Sequence, residues 1–315
     1  MKYSYDRSEI KKISLSGFLS MVSVRNKRIA AAPDDLPVSE FNANRLAKSL
    51  HPAVQHVKIA KVEEHTEAKS FTLVPDKERG TESLAYFRAS QYVSVNLNIN
   101  GTALSKPYTI RSGPGSALGE DGTSYVLTIK LTRPGFASQW ILENWKEGDR
   151  VDISGPLGDF YYDRIRDAGT VVALAGGSGI TPFYSMAEAI ADGIEDFRLT
   201  ILYGSRTAEG ILLKDELDEV IARAGGKVKV VHVLSDEARE GYEHGFLTAE
   251  LVKKYAPEGD YSVFMCGPQA MYDYEEQELK KLGLPRRRIR RELSGDWLMS
   301  EPTRLGMISY AVFCL

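Results

Sequence analysis

An apolar run, Val171–Val172–Ala173–Leu174–Ala175, empties directly into Gly176–Gly177–Ser178–Gly179–Ile180–Thr181–Pro182. No other stretch restricts the possible folds as strongly. A β-branched apolar run without polar alternation reads as a buried parallel strand, and the glycines that follow read as a tight turn opening a helix. Glycine lets backbone N–H groups approach a phosphate, and the helix N-terminus adds the positive end of its dipole. Thr181 reads as the cap of that helix and Pro182 as its first residue, where no N–H is needed. The pattern is GxGxxP, distinct from the GxGxxG turn of folds that bind a dinucleotide at their first strand. Turns of this kind also serve packing alone, so the flanking sequence decides.

Downstream of about Asp167, apolar strands at 170–175, 198–203, 227–234 and 261–266 alternate with helical segments at 182–192, 213–224, 247–255 and 268–282. That rhythm is a βαβ series, hence a parallel sheet covered on both faces, with ligands expected beyond the carboxyl ends of its strands. Upstream, short strands lie between turns: Val54–Val62, Ser70–Leu73, Gln91–Ile99, Lys106–Arg111, Tyr125–Thr132 and Arg150–Ser154, with one helix at Ser138–Asn144. Many short strands with a single helical interruption predict a small antiparallel β-barrel. The expected organisation is a basic extension over 1–55, a barrel domain over 56–165, an α/β domain over 166–296 and a tail over 297–315.

A chain of 315 residues has room for two such domains, each with its own core. A net charge of −3 gives no general attraction to nucleic acid or anionic lipid. The two cysteines, Cys266 and Cys314, exclude a disulfide framework and a self-contained four-cysteine cluster, and suit a reducing cytoplasm. The apolar stretch Ile13–Val24 is interrupted by serines and too short to span a bilayer, and the basic residues after it do not fit a signal peptide. Two readings of the extension stay open, an amphipathic helix on a partner or membrane surface and a poorly ordered arm.

Three motifs follow one another: Lys106–Pro107–Tyr108–Thr109–Ile110–Arg111–Ser112, the glycine turn from Gly176 to Pro182, and Cys266–Gly267–Pro268–Gln269–Ala270–Met271. Barrel, parallel sheet and these motifs together resemble the ferredoxin–NADP reductase superfamily over residues 56–293. Within it the chain is most similar in type to dioxygenase reductase components without their [2Fe–2S] domain. The resemblance implies FAD on the barrel and NAD(P)H at the carboxyl edge of the sheet.

By that resemblance Tyr108 lies against the isoalloxazine and Thr109 hydrogen-bonds it. Lys106 stands where the family carries an arginine for the pyrophosphate. Lysine keeps the charge without the bidentate fork, and Arg111 is the candidate to compensate, with Ser112 beside it. Gly135–Phe136–Ala137–Ser138 resembles the turn where a helix N-terminus meets the pyrophosphate, with Ser138 as its cap. An ordinary capped helix is the alternative. Thr128–Ile129–Lys130 occupies the adenosine-facing strand. Phe87–Val93 resembles a family strand that has glycine where this chain has Ser90, and Gly155–Phe160 resembles the turn that closes the barrel. Gly176, Gly177, Gly179, Ile180, Thr181 and Pro182 form the dinucleotide turn. Cys266 falls beside the nicotinamide, with Gly267, Pro268 and Met271, although a lone cysteine at a strand end is more commonly a small buried hydrophobe.

The choice of nicotinamide nucleotide rests on two strand ends. Ser205–Arg206 suits a 2′-phosphate, whereas Asp236 repels one, which tilts the expectation to NADH with NADPH left open. The run Arg286–Arg291 reads either as a docking patch for an acidic electron carrier or as a charged edge strand. Many relatives place an aromatic residue after the last strand, where this chain has Ser294–Gly295. The expected activity is hydride transfer from NAD(P)H to FAD, then single-electron transfer to a small acceptor protein, haem or separate [2Fe–2S] protein. A non-catalytic electron-transfer or regulatory subunit and a flavin-free scaffold are the alternatives. Nucleic-acid binding is not expected.

Overall fold

The computed structural model describes residues 23–27, 30–31, 42–119, 123–132 and 135–293. The expectations for most of the N-terminal extension, for Ser294–Gly295, for Cys314 and for the tail over 297–315 fall outside those residues. The chain forms two compact units, Met1–Ala47 and Lys48–Leu315. A helix, α1 (Asn42–Leu50), buries none of its residues. Among the described residues no helix is long and apolar enough to cross a membrane. Everything below concerns the second unit.

Six antiparallel strands come first: β1 (Gln55–His65), β2 (Ala68–Pro75), β3 (Tyr92–Ile99), β4 (Thr102–Thr109), β5 (Tyr125–Lys130) and β6 (Arg150–Ile153). They are ordered β4-β3-β6-β1-β2-β5. The two ends of that sheet curl together, with a bridge between Ile110 and Leu127 just past β4. Alternation explains the closure: Val93, Val95 and Leu97 of β3, Phe71 and Leu73 of β2, and Leu127 and Ile129 of β5 all point inward and are buried. Helix α2 (Ala137–Asn144) lays Ala137 and Ile141 into the same core. Each such side chain contributes roughly 1.5–3 kcal/mol of burial.

The second half is a parallel sheet of β7 (Thr170–Gly176), β8 (Arg198–Ser205), β9 (Val228–Leu234), β10 (Glu243–His244), β11 (Ser262–Gly267) and β12 (Ile289–Leu293), ordered β10-β9-β8-β7-β11-β12. Helices α3 (Thr181–Ala191), α4 (Lys214–Arg223), α5 (Ala249–Tyr255) and α6 (Gln269–Lys281) connect the strands. Val171 to Ala175 are each at most 1% exposed, the double-sided burial expected of a central parallel strand.

The barrel and the sheet are tied through a small set of contacts. Ser185 of α3 accepts the Ser90 N–H and donates to the Ser112 carbonyl. Ser90 sits in the left-handed region at φ 73° and its hydroxyl donates to the Phe160 carbonyl at 2.7 Å. Glycine would hold that backbone more easily, but the serine hydroxyl fixes the connecting segment to the barrel. Tyr162 of the connection stacks on Phe197 at 4.1 Å. The basic run takes part in the same seam. Arg288 pairs with Asp260 and donates to the Arg166 carbonyl, and Arg290 donates to the carbonyls of Asp159 and Tyr161. Two of its arginines are therefore committed to holding β12 against the connection.

Candidate functional site

The glycine turn is narrower in purpose than its sequence suggests. A Cβ on Gly179 would overlap the Cys266 carbonyl, one on Gly176 would stand 2.5 Å from the Met271 sulfur, and one on Gly267 would strike the same sulfur. These three glycines let the ends of β7 and β11 pack against each other. Gly177 differs, having a left-handed backbone at φ 53° and open space around it. A short 3-10 turn, Gly177–Ile180, leads straight into α3, so Thr181 is the first helical residue rather than the cap. Its hydroxyl donates back to the Ser178 carbonyl. Ile180, Thr181 and Pro182 are all buried and support the turn from below.

Above this turn opens a cavity of about 790 Å³. Gly176, Gly177, Ser205, Arg206, Asp236, Pro268 and Met271 line it, together with Lys130, which the sequence resemblance puts on the FAD side. The structure adds Thr66 and Glu67 from the barrel, and Phe246, Leu247, Tyr274 and Glu275 from the far wall. Sequence reasoning overlooked these because no spacing rule links a loop at 246 to a helix at 274. The Phe246 and Tyr274 rings lie 5.6 Å apart and both are exposed at the rim. At the other end, Arg206 Nε donates to Asp236 Oδ2 at 2.8 Å, and the Ser235 hydroxyl donates to the same carboxylate. Those two bonds, the serine's first, hold the Asp236 carboxyl below its ordinary range. Ser205 Oγ is buried in the cavity wall and has no hydrogen-bond partner among the described residues.

A second cluster centres on Thr109 at the end of β4. Its register partner on β3 is Tyr92, and the bridge between Ile110 and Leu127 sets Thr128 of β5 on its other side. From Thr128 a chain of hydrogen bonds runs outward, through Ser70 at 2.8 Å and then His65 Nε2 at 2.8 Å. His65 in turn faces Glu216 of α4 at 3.7 Å. On the Tyr92 side stands Glu292 of β12, the register partner of Cys266. The residue is half-buried, yet its Oε2 is enclosed and has no hydrogen-bond partner among the described residues. Burial, reinforced by Asp159, pushes that carboxyl up to about 8. Cys266 itself is 2% exposed and packs with Ile180, Phe183 and Phe264 rather than lining the cavity.

The remaining sequence candidates divide clearly. Tyr108 and Thr109 are half-buried, and Lys106 is buried lower on the same strand. Ile129 and Ala137 point into the barrel core, so only their backbones can face a ligand. Ser138 lies inside α2 and not at its cap, and its hydroxyl accepts the Thr132 N–H. Gly135 permits that tight turn, because a Cβ would overlap the Thr132 carbonyl. The Ser112 hydroxyl is occupied by Val126 N–H and Ser116. Arg111 lies past the end of β4, five residues from Lys106. It lies 4.6 Å over the Tyr184 ring, buried, with Nε and Nη1 lacking hydrogen-bond partners.

These orphaned atoms fit the two cofactors. Two buried guanidinium nitrogens without an acceptor among the described residues are costly, and an electron-rich group beside them would satisfy them. The open backbone at Gly177 and the unpartnered Ser205 hydroxyl suit a dinucleotide in the cavity. Among the described residues no cluster of side chains could hold a metal ion.

Comparison with known proteins agrees with this division. Residues 57–162 match the oxidoreductase FAD-binding domain family and residues 173–277 the oxidoreductase NAD-binding domain family. NADH-cytochrome b5 reductase 1 of Candida glabrata is 31% identical over 240 residues, covering 70% of this chain and 81% of that protein. The glycine betaine monooxygenase reductase subunit of Chromohalobacter salexigens is 29% identical over 230 residues, covering 70% of this chain and 59% of its own. Among solved structures, the flavohem-like FAD/NAD-binding domain of nitric oxide dioxygenase from Vibrio cholerae aligns with a TM-score of 0.65 at 24% identity, covering 78% of this chain and 100% of that one. A ferredoxin NADP+ reductase from Neisseria gonorrhoeae, with FAD and NADP bound, aligns with a TM-score of 0.62 at 20% identity, covering 76% and 98%.

Proposed function

The chain belongs to the ferredoxin–NADP reductase superfamily of FAD- and NAD-binding oxidoreductases, and from that premise we propose how its own residues divide the work of passing electrons from NADH to a one-electron acceptor. It is an FAD-dependent NAD(P)H oxidoreductase. FAD, when bound, supplies the chemistry of taking a hydride and releasing its electrons singly, while the protein contributes binding, orientation and electrostatics.

The observation that carries the reading is the convergence on Thr109. Tyr92 of β3 is its register partner within the barrel, Glu292 of β12 stands beside Tyr92, and Thr128, Ser70 and His65 form a hydrogen-bonded path to the outside. Tyr108 and Thr109 would hold the flavin ring, Lys106 and the α2 N-terminus its pyrophosphate, and Arg111 its electron-rich edge. NADH would lie in the 790 Å³ cavity with its pyrophosphate over Gly177 and its nicotinamide toward Cys266. The Thr128–Ser70–His65 path can hold or move a proton, since each hydroxyl both donates and accepts. The Cys266 thiol would contribute shape, keeping the transfer distance short and water out.

NADH is the proposed donor because the charge of Arg206 is already committed to Asp236, and that carboxylate would repel a 2′-phosphate. The acceptor is proposed to be a haem or iron–sulfur protein, in line with the names of the cytochrome b5 and monooxygenase reductases it is similar to. Purified protein is expected to be yellow and to bleach on anaerobic addition of NADH, with NADPH at least about tenfold slower, the ratio that one misplaced charge typically produces. A colourless protein that takes up no FAD would overturn the reading. In the same assay Cys266→Ala is expected to slow bleaching more than it weakens FAD retention.

A further inference from the structure

The far wall of the cavity holds a carboxyl group that neither the fold nor the electron path requires. Glu275 sits on α6, one turn beyond Met271, and is 1% exposed. It lines the cavity together with Tyr274, Phe246 and Leu247. Its Oε2 has no hydrogen-bond partner among the described residues. Glu278, one turn further along, contrasts with it: that carboxylate accepts the Ala249 N–H and pairs with Lys281. Helix packing alone therefore does not demand an unsatisfied acid at 275, and an apolar residue would fill the wall without leaving an orphaned oxygen.

We propose that Glu275 is a specificity residue of the dinucleotide cavity, presenting its carboxyl group to the amide or amino edge of an aromatic ring resting against Phe246 and Tyr274. The inference rests on NADH occupying this cavity. Burial, together with the like charge of Glu278 and against the weaker pull of Arg291 from β12, pushes the Glu275 carboxyl up to about 9. The other titratable groups nearby are Tyr272 and Tyr274 on the same helix and Glu250 of α5, which faces Tyr274. Lys281, the cation that also acts on Tyr274, is paired with Glu278.

A neutral carboxyl offers one donor and one acceptor side by side. Two edges of the dinucleotide match that pair, the amino edge of adenine and the carboxamide of nicotinamide. A neutral group also leaves the nearby phosphates unrepelled, which an ionised one would not. Two exposed rings, 5.6 Å apart and inclined at 50°, provide aromatic surface against which either base can rest.

The test measures binding to the FAD-loaded protein by calorimetry, using ADP-ribose and nicotinamide mononucleotide as well as NAD+. Wild type, Glu275→Gln and Glu275→Ala are compared at about pH 7 and about pH 10, on either side of the titration. Wild type is expected to lose about tenfold in NAD+ affinity at the higher pH, the worth of one good hydrogen bond. Glu275→Gln should bind nearly the same at both, because an amide keeps its donor and does not ionise. Glu275→Ala should bind weakly at both. Loss confined to ADP-ribose assigns the adenine edge, and loss confined to the mononucleotide assigns the carboxamide. A Gln variant that keeps the wild-type pH dependence, or an Ala variant that binds as tightly as wild type, overturns the role of Glu275. Failure of wild type to bind any of the three ligands overturns the cavity assignment itself.

Discussion

The sheet edge and the outer face of the barrel build their halves of the site from different materials. At the sheet edge the backbone does most of the work. Gly176, Gly179 and Gly267 exist because another atom already stands where a side chain would go. On the barrel face the work falls to side chains, in the row Tyr92, Thr109, Thr128, Ser70 and His65. A backbone-built site has almost no tolerance, since no rotamer relieves a Cβ overlapping a carbonyl. A side-chain site can tolerate substitution, and by the sequence resemblance Lys106 and Ser90 stand where the family carries arginine and glycine.

The sharpest way to break that contrast is Gly179→Ala. Its Cβ would overlap the Cys266 carbonyl, so the β7 turn or the end of β11 must move. We expect a loss of about 4 kcal/mol in a urea titration, at the upper end of single-residue effects. Gly176→Ala provides the control, because it meets a flexible methionine sulfur and should lose less than half as much. If both substitutions are mild, the sheet edge is as adaptable as the barrel face and the contrast fails.

The difference also explains what could be read from the sequence. A strand emptied into Gly-Gly-Ser-Gly, the Lys106–Ser112 motif and Cys266–Gly267–Pro268 are legible because backbone geometry restricts which residues can occupy them. The antiparallel and parallel halves follow from the two periodicities. Glu275 and Glu292 were not legible. An acidic residue on a helix or an edge strand ordinarily points to water, and only the packing of α6 against the 246–247 loop, and of β12 against the Gly155–Phe160 turn, encloses these two. The capping roles of Thr181 and Ser138 were misread for a related reason. A 3-10 turn runs into α3, and the 132–135 turn uses the serine hydroxyl for its own N–H.

A second test asks whether the seam between the halves stores a proton. Glu292 keeps its proton in the folded protein up to about pH 8, whereas the unfolded chain releases it at an ordinary carboxylate pKa. The native state therefore binds more protons between those values, and stability must fall as pH rises through that window. The full linkage would approach about 5 kcal/mol, and we expect about 2 because the half-exposed residue lets water relax its surroundings. Glu292→Gln should flatten this slope in denaturant titrations between about pH 5 and about pH 8. An unchanged slope would mean that the carboxylate is ionised in the folded protein.

The smallest effect is expected at Ser90, and it distinguishes drift from damage. Its left-handed backbone at φ 73° costs roughly 1 kcal/mol for a residue with a side chain, which Ser90→Gly would relieve. The same change removes the bond from Ser90 Oγ to the buried Phe160 carbonyl, worth about 1 kcal/mol, and frees the unfolded chain by several tenths more. The opposing contributions nearly cancel, leaving a net loss of about 0.5 kcal/mol, with the Ser90 N–H still donating to Ser185. The substitution therefore reads the hydroxyl's compensation directly. A gain above about 1 kcal/mol would mean that the hydroxyl contributes little and the serine is simply strained. A loss above about 2 kcal/mol would make Ser90 as indispensable to the barrel as Gly179 is to the sheet edge, and would erase the distinction between a face that tolerates substitution and an edge that does not.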